Sequence, residues 1–460
     1  MTEKTFSELA LKPQLLARLE AMGFAAMTPV QAASLPALMA GKDVVAQGST
    51  GSGKTAAFAL ACLQRLDSAA FHVQSLVLCP TRELAEQVAQ SVRDLAKNLS
   101  NTKVLTLCGG VPLGPQIGSL QHSAHFIVGT PGRVLKHLQK GTLHLHGLDI
   151  VVFDEADRML DMGFAEEIDA ICSYLPQPRQ TLLFSATFPD GVQNLAKDLH
   201  ADAVHVDVTA HEAAPKISQQ WCGIDAKERD HVLVSLLAHF GGERNMVFCN
   251  TKIECAEVSA RLCREGLMAV TLHGDLEQQQ RTQTLVRFAN GSANVLVASD
   301  VAARGLDIDA VDVVFNHSLP AQPEVYVHRI GRTGRGGEAG RAISLVADRD
   351  MNRLHGIEAF IDQGPMSVLQ RPDRSPDGPL PDPKYTTLEI NGGRRHKLRP
   401  GDILGALTAH SAITGAVVGK IDLLDQSTFV AVHTSVAAEA LRQLNQHKVK
   451  GRALRARRSI

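Results

Sequence analysis

Short apolar runs alternate with helix-length amphipathic stretches through roughly the first 360 residues. Val44–Ala46, Ser75–Cys79, Val104–Leu107, Phe126–Val128, Ile150–Phe153 and Thr181–Phe184 are brief, and Gly, Pro or Asp follows most of them. Runs of this kind predict buried strands. Between them lie stretches such as Thr55–Gln64 and Arg82–Lys97, which read as helices. Strands alternating with helices predict a parallel, doubly wound α/β sheet. The pattern restarts after about residue 210. Val247–Cys249, Ala269–Leu272, Val295–Ala298, Val313–Phe315 and Arg341–Leu345 form a second strand series, and His211–Gln219, with Pro215, reads as the connector.

The character of the chain then changes. Gln370–Lys384 carries five prolines in fifteen residues, an exposed linker that is polyproline-like in part. After it the pattern is β-α-β-β-α-β. Strands are expected at Tyr385–Ile390, Val417–Asp422, Thr428–His433 and Ala453–Ala456, with helices near Pro400–Leu407 and Val436–Gln446. That order in so short a segment suits a small split-βαβ sandwich. The expected division is 1–208 and 219–366 for two α/β domains, 367–384 for the linker and 385–460 for the small domain.

Length and composition agree. At roughly 100–200 residues per domain, 460 residues make about two to four domains. With 44% hydrophobic and 21% charged residues the chain is an ordinary globular mix, not a disordered, collagenous or coiled-coil one. The formal charge is only −1, but it is unevenly spread. Lys384–Ile460 holds 13 basic and 5 acidic residues, against 34 and 43 in the remainder. A basic tail on an acidic body points to a nucleic-acid or membrane contact at that end. The eight cysteines form no C-x2-C pair, so a zinc site has no support, and most sit in apolar runs that suit reduced thiols in the cytosol. Met1–Ala10 has no signal-peptide core, and no apolar run is long enough to span a membrane.

Chemistry enters at Gly48–Thr55. Gly48, Ser49, Thr50, Gly51, Ser52, Gly53, Lys54 and Thr55 fit G-x-x-x-x-G-K-[ST], with a strand before and a helix after. Glycines let backbone N–H groups turn inward around phosphates, and the helix adds its positive N-terminus. Lys54 would reach the β/γ-phosphates of ATP and Thr55 would hold Mg²⁺. Ile150–Phe153 runs into Asp154, Glu155, Ala156 and Asp157. Asp154 is placed to take the Mg²⁺ through water, and Glu155 to orient and deprotonate an attacking water. Taken alone, the same residues also read as a solvated acidic turn. His328–Arg335 would let Arg332 and Arg335 act as arginine fingers on transferring phosphate, or is a solvated basic turn.

Taken together these residues resemble the DEAD-box ATP-dependent RNA helicases over roughly residues 3–350. Phe6, Gly23 and Thr28-Pro29-Val30-Gln31 look like the adenine-reading Q motif, and Gly48–Thr55 like motif I. Pro80–Ala85, Gly109-Gly110 and Thr130–Arg133 resemble Ia, GG and Ib. Asp154–Asp157 resembles motif II, Ser185–Thr187 motif III and Val247–Asn250 motif IV. His273–Asp275 with Gln278 and Arg281, then Ser299–Asp307, then His328–Arg335 complete the series. Ser299 stands where the family usually has Thr, and Gly48 where it usually has Ala; neither puts activity in doubt.

The resemblance implies two RecA-like domains in tandem that close on ATP·Mg²⁺ and single-stranded RNA. Phe6 and Gln31 would select adenine, with Gly305 and Asp307 also at the nucleotide. Ser185, Thr187, Asp157 and His328 would couple the nucleotide state to RNA. Arg82, Gly110, Thr130, Gly132 and Arg133, with Thr251, Gly274, Arg281, Ser299 and Asp300, would line the RNA path. Contacts of that kind go mainly to phosphate and 2′-OH and are blind to sequence.

The tail resembles the C-terminal RRM-like domain of the DbpA-type subfamily, through Tyr385–Gly393, Lys397–Leu407 and Val418–Ile421. That subfamily anchors on a 23S rRNA hairpin and acts in large-subunit (50S) assembly. The implied protein is a cytoplasmic, monomeric RNA partner with no membrane contact. Thr428–His433 has one aromatic, Phe429, so stacking of bases on the sheet face is poorly supplied. Arg394, Arg395, Lys397, Lys448 and Lys450 are the charge-based choices for gripping RNA. The alternatives are a general RNA chaperone or ATP-gated RNA clamp without rRNA preference, and a DNA helicase, which the Q motif and the acidic tetrad disfavour.

Overall fold

The computed structural model describes the chain apart from residues 1–3, 49–50, 189, 198–201, 209–216, 304–309, 335–338, 362–363, 373–381, 410–412 and 460. It divides into two compact units. The first runs to Ala214 and also takes Arg304–Asp307; the second holds Pro215–Ala303 and Ile308–Ile460.

The first unit is built on seven parallel strands: β1 Val44–Gln47, β2 Ser75–Leu78, β3 Val104–Leu107, β4 Phe126–Gly129, β5 Ile150–Asp154, β6 Gln180–Ser185 and β7 Val204–Asp207. Their order across the sheet is β3-β4-β2-β5-β6-β1-β7. Alternate residues of a strand face opposite sides, so each strand feeds two cores. Val44, Ala46, Val77, Phe126, Val152 and Phe184 enter one apolar cluster. Val45, Leu76, Ile127, Val151, Phe153 and Leu183 enter the other. Burial on both faces is why these strands read as continuous apolar runs. β7 escaped that reading because it is an edge strand in which only Val206 is buried.

The second unit repeats the plan. Its strands are β8 Ile217–Gly223, β9 Asn245–Cys249, β10 Ala269–Leu272, β11 Val295–Ser299, β12 Val313–Asn316, β13 Gly340–Val346 and β14 Ser367–Val368. Their order, β10-β11-β9-β12-β13-β8-β14, is that of the first sheet shifted by seven. Two expectations shift here. The connector expected to reach Gln219 gives way to β8 at Ile217, whose polar sequence buries only Cys222. β14 pairs with β8 at Gln220 and Trp221, so the sheet extends past the expected end at residue 366.

The tail forms an antiparallel sheet of four further strands, β15 Tyr385–Ile390, β16 Val418–Leu423, β17 Thr428–His433 and β18 Ala456–Arg458, in the order β16-β17-β15-β18. Helices Pro400–Thr408 and Ala437–Gln446 cover one face through Leu388, Ile390, Ile403, Leu407, Val430, Val432 and Leu444. This is the expected split-βαβ sandwich, with its last strand three residues later than foreseen.

The other face of this sheet is not free. Thr387 and Ala431 stand opposite each other, as do Glu389 and Phe429. All four are buried, yet none belongs to the tail's own core. The turn after helix Gln278–Ala289 docks there. Asn290 Nδ2 donates to Thr387 Oγ1 at 2.8 Å, and Thr387 Oγ1 donates to Ser292 Oγ at 2.7 Å. At the rim Lys384 pairs with Glu243. The face on which an RRM stacks bases is therefore occupied at Thr387 by the neighbouring helicase sheet domain. Among the described residues no helix is long and apolar enough to cross a membrane.

Thr387→Val removes the hydroxyl and strands the buried Asn290 amide. A stranded buried polar group costs about 1–3 kcal/mol. Urea unfolding is expected to show a loss of that size, and unchanged stability would contradict the docking.

Candidate active site

In both sheets the sequence-predicted residues gather beyond the carboxyl ends of the strands, where parallel sheets bind ligands. Gly48–Gly53 links β1 to helix Lys54–Arg65, with Ser49 and Thr50 outside the described residues. Gly51 and Gly53 have φ of 88° and 96°, a region that glycine enters without steric cost. A Cβ on Gly53 would also lie 2.5 Å from Gln31 Nε2. Gln31 explains the closeness: its Nε2 donates to Gly53 O at 3.1 Å, and its Oε1 accepts from Thr28 N at 2.9 Å. The Q-motif residue thus caps its own helix, Pro29–Met39, and braces the loop. Phe6 is buried in the first core, edge-on to the half-exposed Phe24 at 6.4 Å between centroids.

Lys54 is buried, and its ammonium donates to Gly48 O. Burial lowers its pKa, opposed by the charges of Asp154, Glu155 and Asp157. Asp154 ends β5. Burial and the neighbouring Glu155 push its carboxyl up to about 7, with Lys54 only partly restoring the charged form. A buried carboxyl in this state fits a cation partner, which would favour its ionised form. Thr55, the other expected Mg²⁺ residue, follows Lys54 in the same helix and is half-buried.

Glu155 adopts φ 53° and ψ 54°, a left-handed conformation unusual for a residue with a side chain. Arg158 fixes it through an ion pair of 2.8 Å between two buried side chains. Arg158 was not singled out by the sequence; nothing in the chain marks an arginine three residues on as buried.

Asp157 turns toward β6. Its Oδ2 accepts from Thr187 N at 2.9 Å and Thr187 Oγ1 at 2.8 Å, while Ser185 Oγ donates to Thr187 O at 2.7 Å. Ser185 O in turn accepts from Gly48 N at 3.2 Å. The acidic turn, the Ser185–Thr187 turn and the phosphate loop are one hydrogen-bonded assembly.

The remaining first-unit residues cluster at β3 and β4. The Arg82 guanidinium lies against Gly109 and Gly110; a Cβ on Gly110 would fall 1.6 Å from Arg82 Nη1. Thr130 and Gly132 open helix Pro131–Gln139, and Gly132 is exposed. Arg133 donates to Gln116 Oε1 at 2.6 Å and Val111 O at 2.9 Å, holding the loop that follows Gly110.

In the second unit Thr251 caps helix Lys252–Arg264. Gly274 is exposed, and Arg281 donates to Ala302 O at 2.8 Å. Ser299 ends β11, beside Asp300. Asp300 is held by Arg329 in a bidentate pair, with bonds of 2.6 and 2.8 Å. Arg329 is only 1% exposed. It also donates to Asn316 Oδ1, Ser318 O and Asn250 Oδ1, and its guanidinium lies 5.1 Å from the centre of the Phe248 ring. All five of its donors are used. It joins the motif IV, V and VI segments, and the sequence passed over it in favour of Arg332. Arg332 is buried and His328 half-buried, while Gly305, Asp307 and Arg335 lie outside the described residues. On the tail, Arg394, Arg395, Lys397, Lys448 and Lys450 are all exposed. Lys450 Nζ donates to Lys397 O at 2.7 Å, so these two share one corner.

Two parallel sheets of one topology, a phosphate loop and an acidic turn bonded to Ser185–Thr187 define a nucleoside-triphosphate-driven motor. Comparison with known proteins agrees. Residues 28–195 match the DEAD/DEAH box helicase family and 228–337 the helicase conserved C-terminal domain. The chain belongs to the DEAD-box ATP-dependent RNA helicases, and it is an RNA-dependent ATP hydrolase. More narrowly, residues 387–458 match the DbpA RNA-binding domain. The chain is 50% identical over 453 residues to the ATP-dependent RNA helicase DbpA of Escherichia coli K12, covering 98% of this chain and 99% of that one. It is 44% identical to the DEAD-box helicase CshA of Bacillus cereus over 77% of this chain and 67% of that one. Among solved structures, S. cerevisiae Dbp5 bound to RNA and ADP BeF3 aligns with a TM-score of 0.73 at 34% identity, over 80% of this chain and 96% of that one.

Arg329→Lys keeps the charge but loses the planar fork. A lysine ammonium has three donors against five, so at least two of the acceptors around Arg329 lose their bond, at about 1–3 kcal/mol for each buried group stranded. Urea unfolding is expected to show a loss of about 3 kcal/mol or more, and a change within about 0.5 kcal/mol would contradict the network.

Proposed function

We propose that the chain hydrolyses ATP at the first unit's phosphate loop, unpairs short RNA duplexes, and is anchored by its tail to a 23S rRNA hairpin during 50S assembly in the cytoplasm. One observation carries the reading: the Asp157–Thr187 assembly and a domain of the DbpA RNA-binding type occur in one chain.

Gly48–Thr55 cradles the phosphates, with Lys54 released from Gly48 O to meet them. Gln31 and Phe6 select adenine, and Gly305 and Asp307 contact the nucleotide. Thr55 and Asp154 would hold Mg²⁺, which would offset charge on the transferring phosphoryl group. Glu155, its carboxylate aimed by Arg158, orients the attacking water and takes its proton. Arg332 and Arg335 stabilise the transition-state charge. Asp157, Ser185 and Thr187, with His328, pass the nucleotide state to the RNA path. That path comprises Arg82, Gly110, Thr130, Gly132 and Arg133 in one unit and Thr251, Gly274, Arg281, Ser299 and Asp300 in the other. Their backbone-directed contacts leave the core blind to sequence.

Preference for one RNA then falls to the tail. Its sheet face is covered at Thr387, so recognition goes to the exposed basic loops around Arg394, Arg395, Lys397, Lys448 and Lys450. These would grip a folded hairpin by phosphate and shape. All eight cysteines are free, in keeping with a reducing compartment.

Glu155→Gln is expected to lower ATP turnover by about 100-fold or more while ATP and RNA still bind. Near-normal hydrolysis would remove Glu155 from the role. Reversing Arg394, Arg395 and Lys448 to Glu should erase preference for an rRNA fragment holding the hairpin. ATPase stimulation by poly(A) should stay within about twofold. Equal loss on both RNAs would contradict a separate anchor.

A further inference from the structure

Behind the motif IV loop of the second unit lies a buried charge cluster that the proposed reaction does not use. His317, 4% exposed, follows β12. Its Nδ1 is 2.7 Å from Glu254 Oε1 and its Nε2 is 2.8 Å from Asp230 Oδ1. A carboxylate facing each ring nitrogen calls for a proton on both, so the side chain is an imidazolium. Glu254 has a second task. Its Oε2 accepts from Asn250 N at 3.0 Å, and its Oε1 accepts from Ser318 Oγ as well. Asn250 Oδ1 and Ser318 O both receive Arg329, which holds Asp300.

We propose that doubly protonated His317 is a positioning residue for RNA binding. It clamps Glu254 so that the Asn250–Thr251 turn, and through Arg329 the Asp300 segment, are set for RNA. This rests on the reading of Thr251 and Asp300 as part of the RNA path.

The surroundings support the charged form. Burial pulls the imidazole pKa down, but Asp230 and Glu254 outweigh it, and it ends above its ordinary value. Burial raises the Glu254 carboxyl, yet His317, Ser318 and Asn250 bring it down to about 2. Asp230 is lowered by His317 first, with Arg261 helping. The other charged or titratable groups nearby are Arg229, which donates to His317 O and pairs with Asp350, then Arg329, Cys249 and Cys255. A group whose folded pKa is raised stabilises the fold below its ordinary value, and that contribution is lost as pH rises through the raised one. The clamp therefore opens on the alkaline side. Deprotonation leaves one carboxylate facing a lone pair.

Cys249 Sγ, Glu254 Oε1 and His317 Nδ1 lie within 4.8 Å of one another, a spacing a divalent cation can bridge. A metal would have to displace the Nδ1 proton. It would also have to ionise a thiol that contact with Cys255 and burial hold well above its usual value. The proton satisfies both carboxylates without either step.

The test uses the full-length protein. Imidazole ¹⁵N shifts of His317 at pH 7.5 are expected to report both nitrogens protonated. Affinity for single-stranded RNA, measured by anisotropy with ADP–beryllium fluoride, is expected to fall about tenfold between pH 7 and 9.5. His317→Gln should bind RNA weakly at pH 7 and lose that pH dependence. A neutral tautomer at pH 7.5, an unchanged pH profile in His317→Gln, or one zinc per chain by elemental analysis would each overturn the proposal. Thr251→Ala separates the two readings. If it leaves RNA affinity intact, the RNA-path assignment of this turn fails, whatever the state of His317.

Discussion

A parallel sheet covered by helices on both faces leaves its chemistry few places to stand. Within the central strands the backbone groups are paired along both sides and the side chains face a core. Polar residues that must meet a ligand are pushed beyond the carboxyl ends of the strands. Both sheets obey this constraint with the same strand order. In the first, β1, β5 and β6 lie side by side, which puts Lys54, Asp154, Asp157 and Ser185 within reach of one another. In the second, β11, β9 and β12 do the same for Ser299, Asn250 and His317.

The second consequence is a set of buried charges. Lys54, Asp154, Glu155, Arg158, Arg229, Arg329 and His317 are all less than a tenth exposed. Charges taken out of water are costly unless each is fully partnered. Arg329 is, through five hydrogen bonds and an aromatic face. The nucleotide site is different: burial and Glu155 raise Asp154, and Lys54 is bonded to the loop that would receive phosphate. Full partnering marks the groups that hold the frame. Incomplete neutralisation marks those awaiting a ligand.

Much of this was legible in the chain. The central strands could be read to within one or two residues because two-sided burial writes them as apolar runs. The tail's β-α-β-β-α-β order was readable from turn residues and alternation. The phosphate loop and the acidic tetrad carry their own spacing. Strands β7 and β14 at a sheet edge, and β8 beside β14, were not legible, since a strand with little burial shows no apolar run. Nor were Arg158, Arg329 and His317. Their roles depend on which strands become neighbours, and sequence spacing does not record that order. The docking of Thr387 on Asn290 and Ser292 was hidden for the same reason: three polar residues look solvent-facing until a second surface meets them.

The docking also changes how the tail is understood. It is not simply a tethered domain behind a proline-rich segment, because its sheet contacts the second helicase sheet domain. An RNA held by the basic loops would stand at a set position relative to β10 and β11. On the proposed reading, RNA stimulates ATP hydrolysis and the preference for one RNA resides in that anchor. Steady-state ATP hydrolysis by the full chain with three RNAs tests this: a 23S rRNA fragment holding the proposed hairpin, the same fragment without it, and poly(A). Strong stimulation by the first alone is expected. Equal stimulation by all three would contradict it.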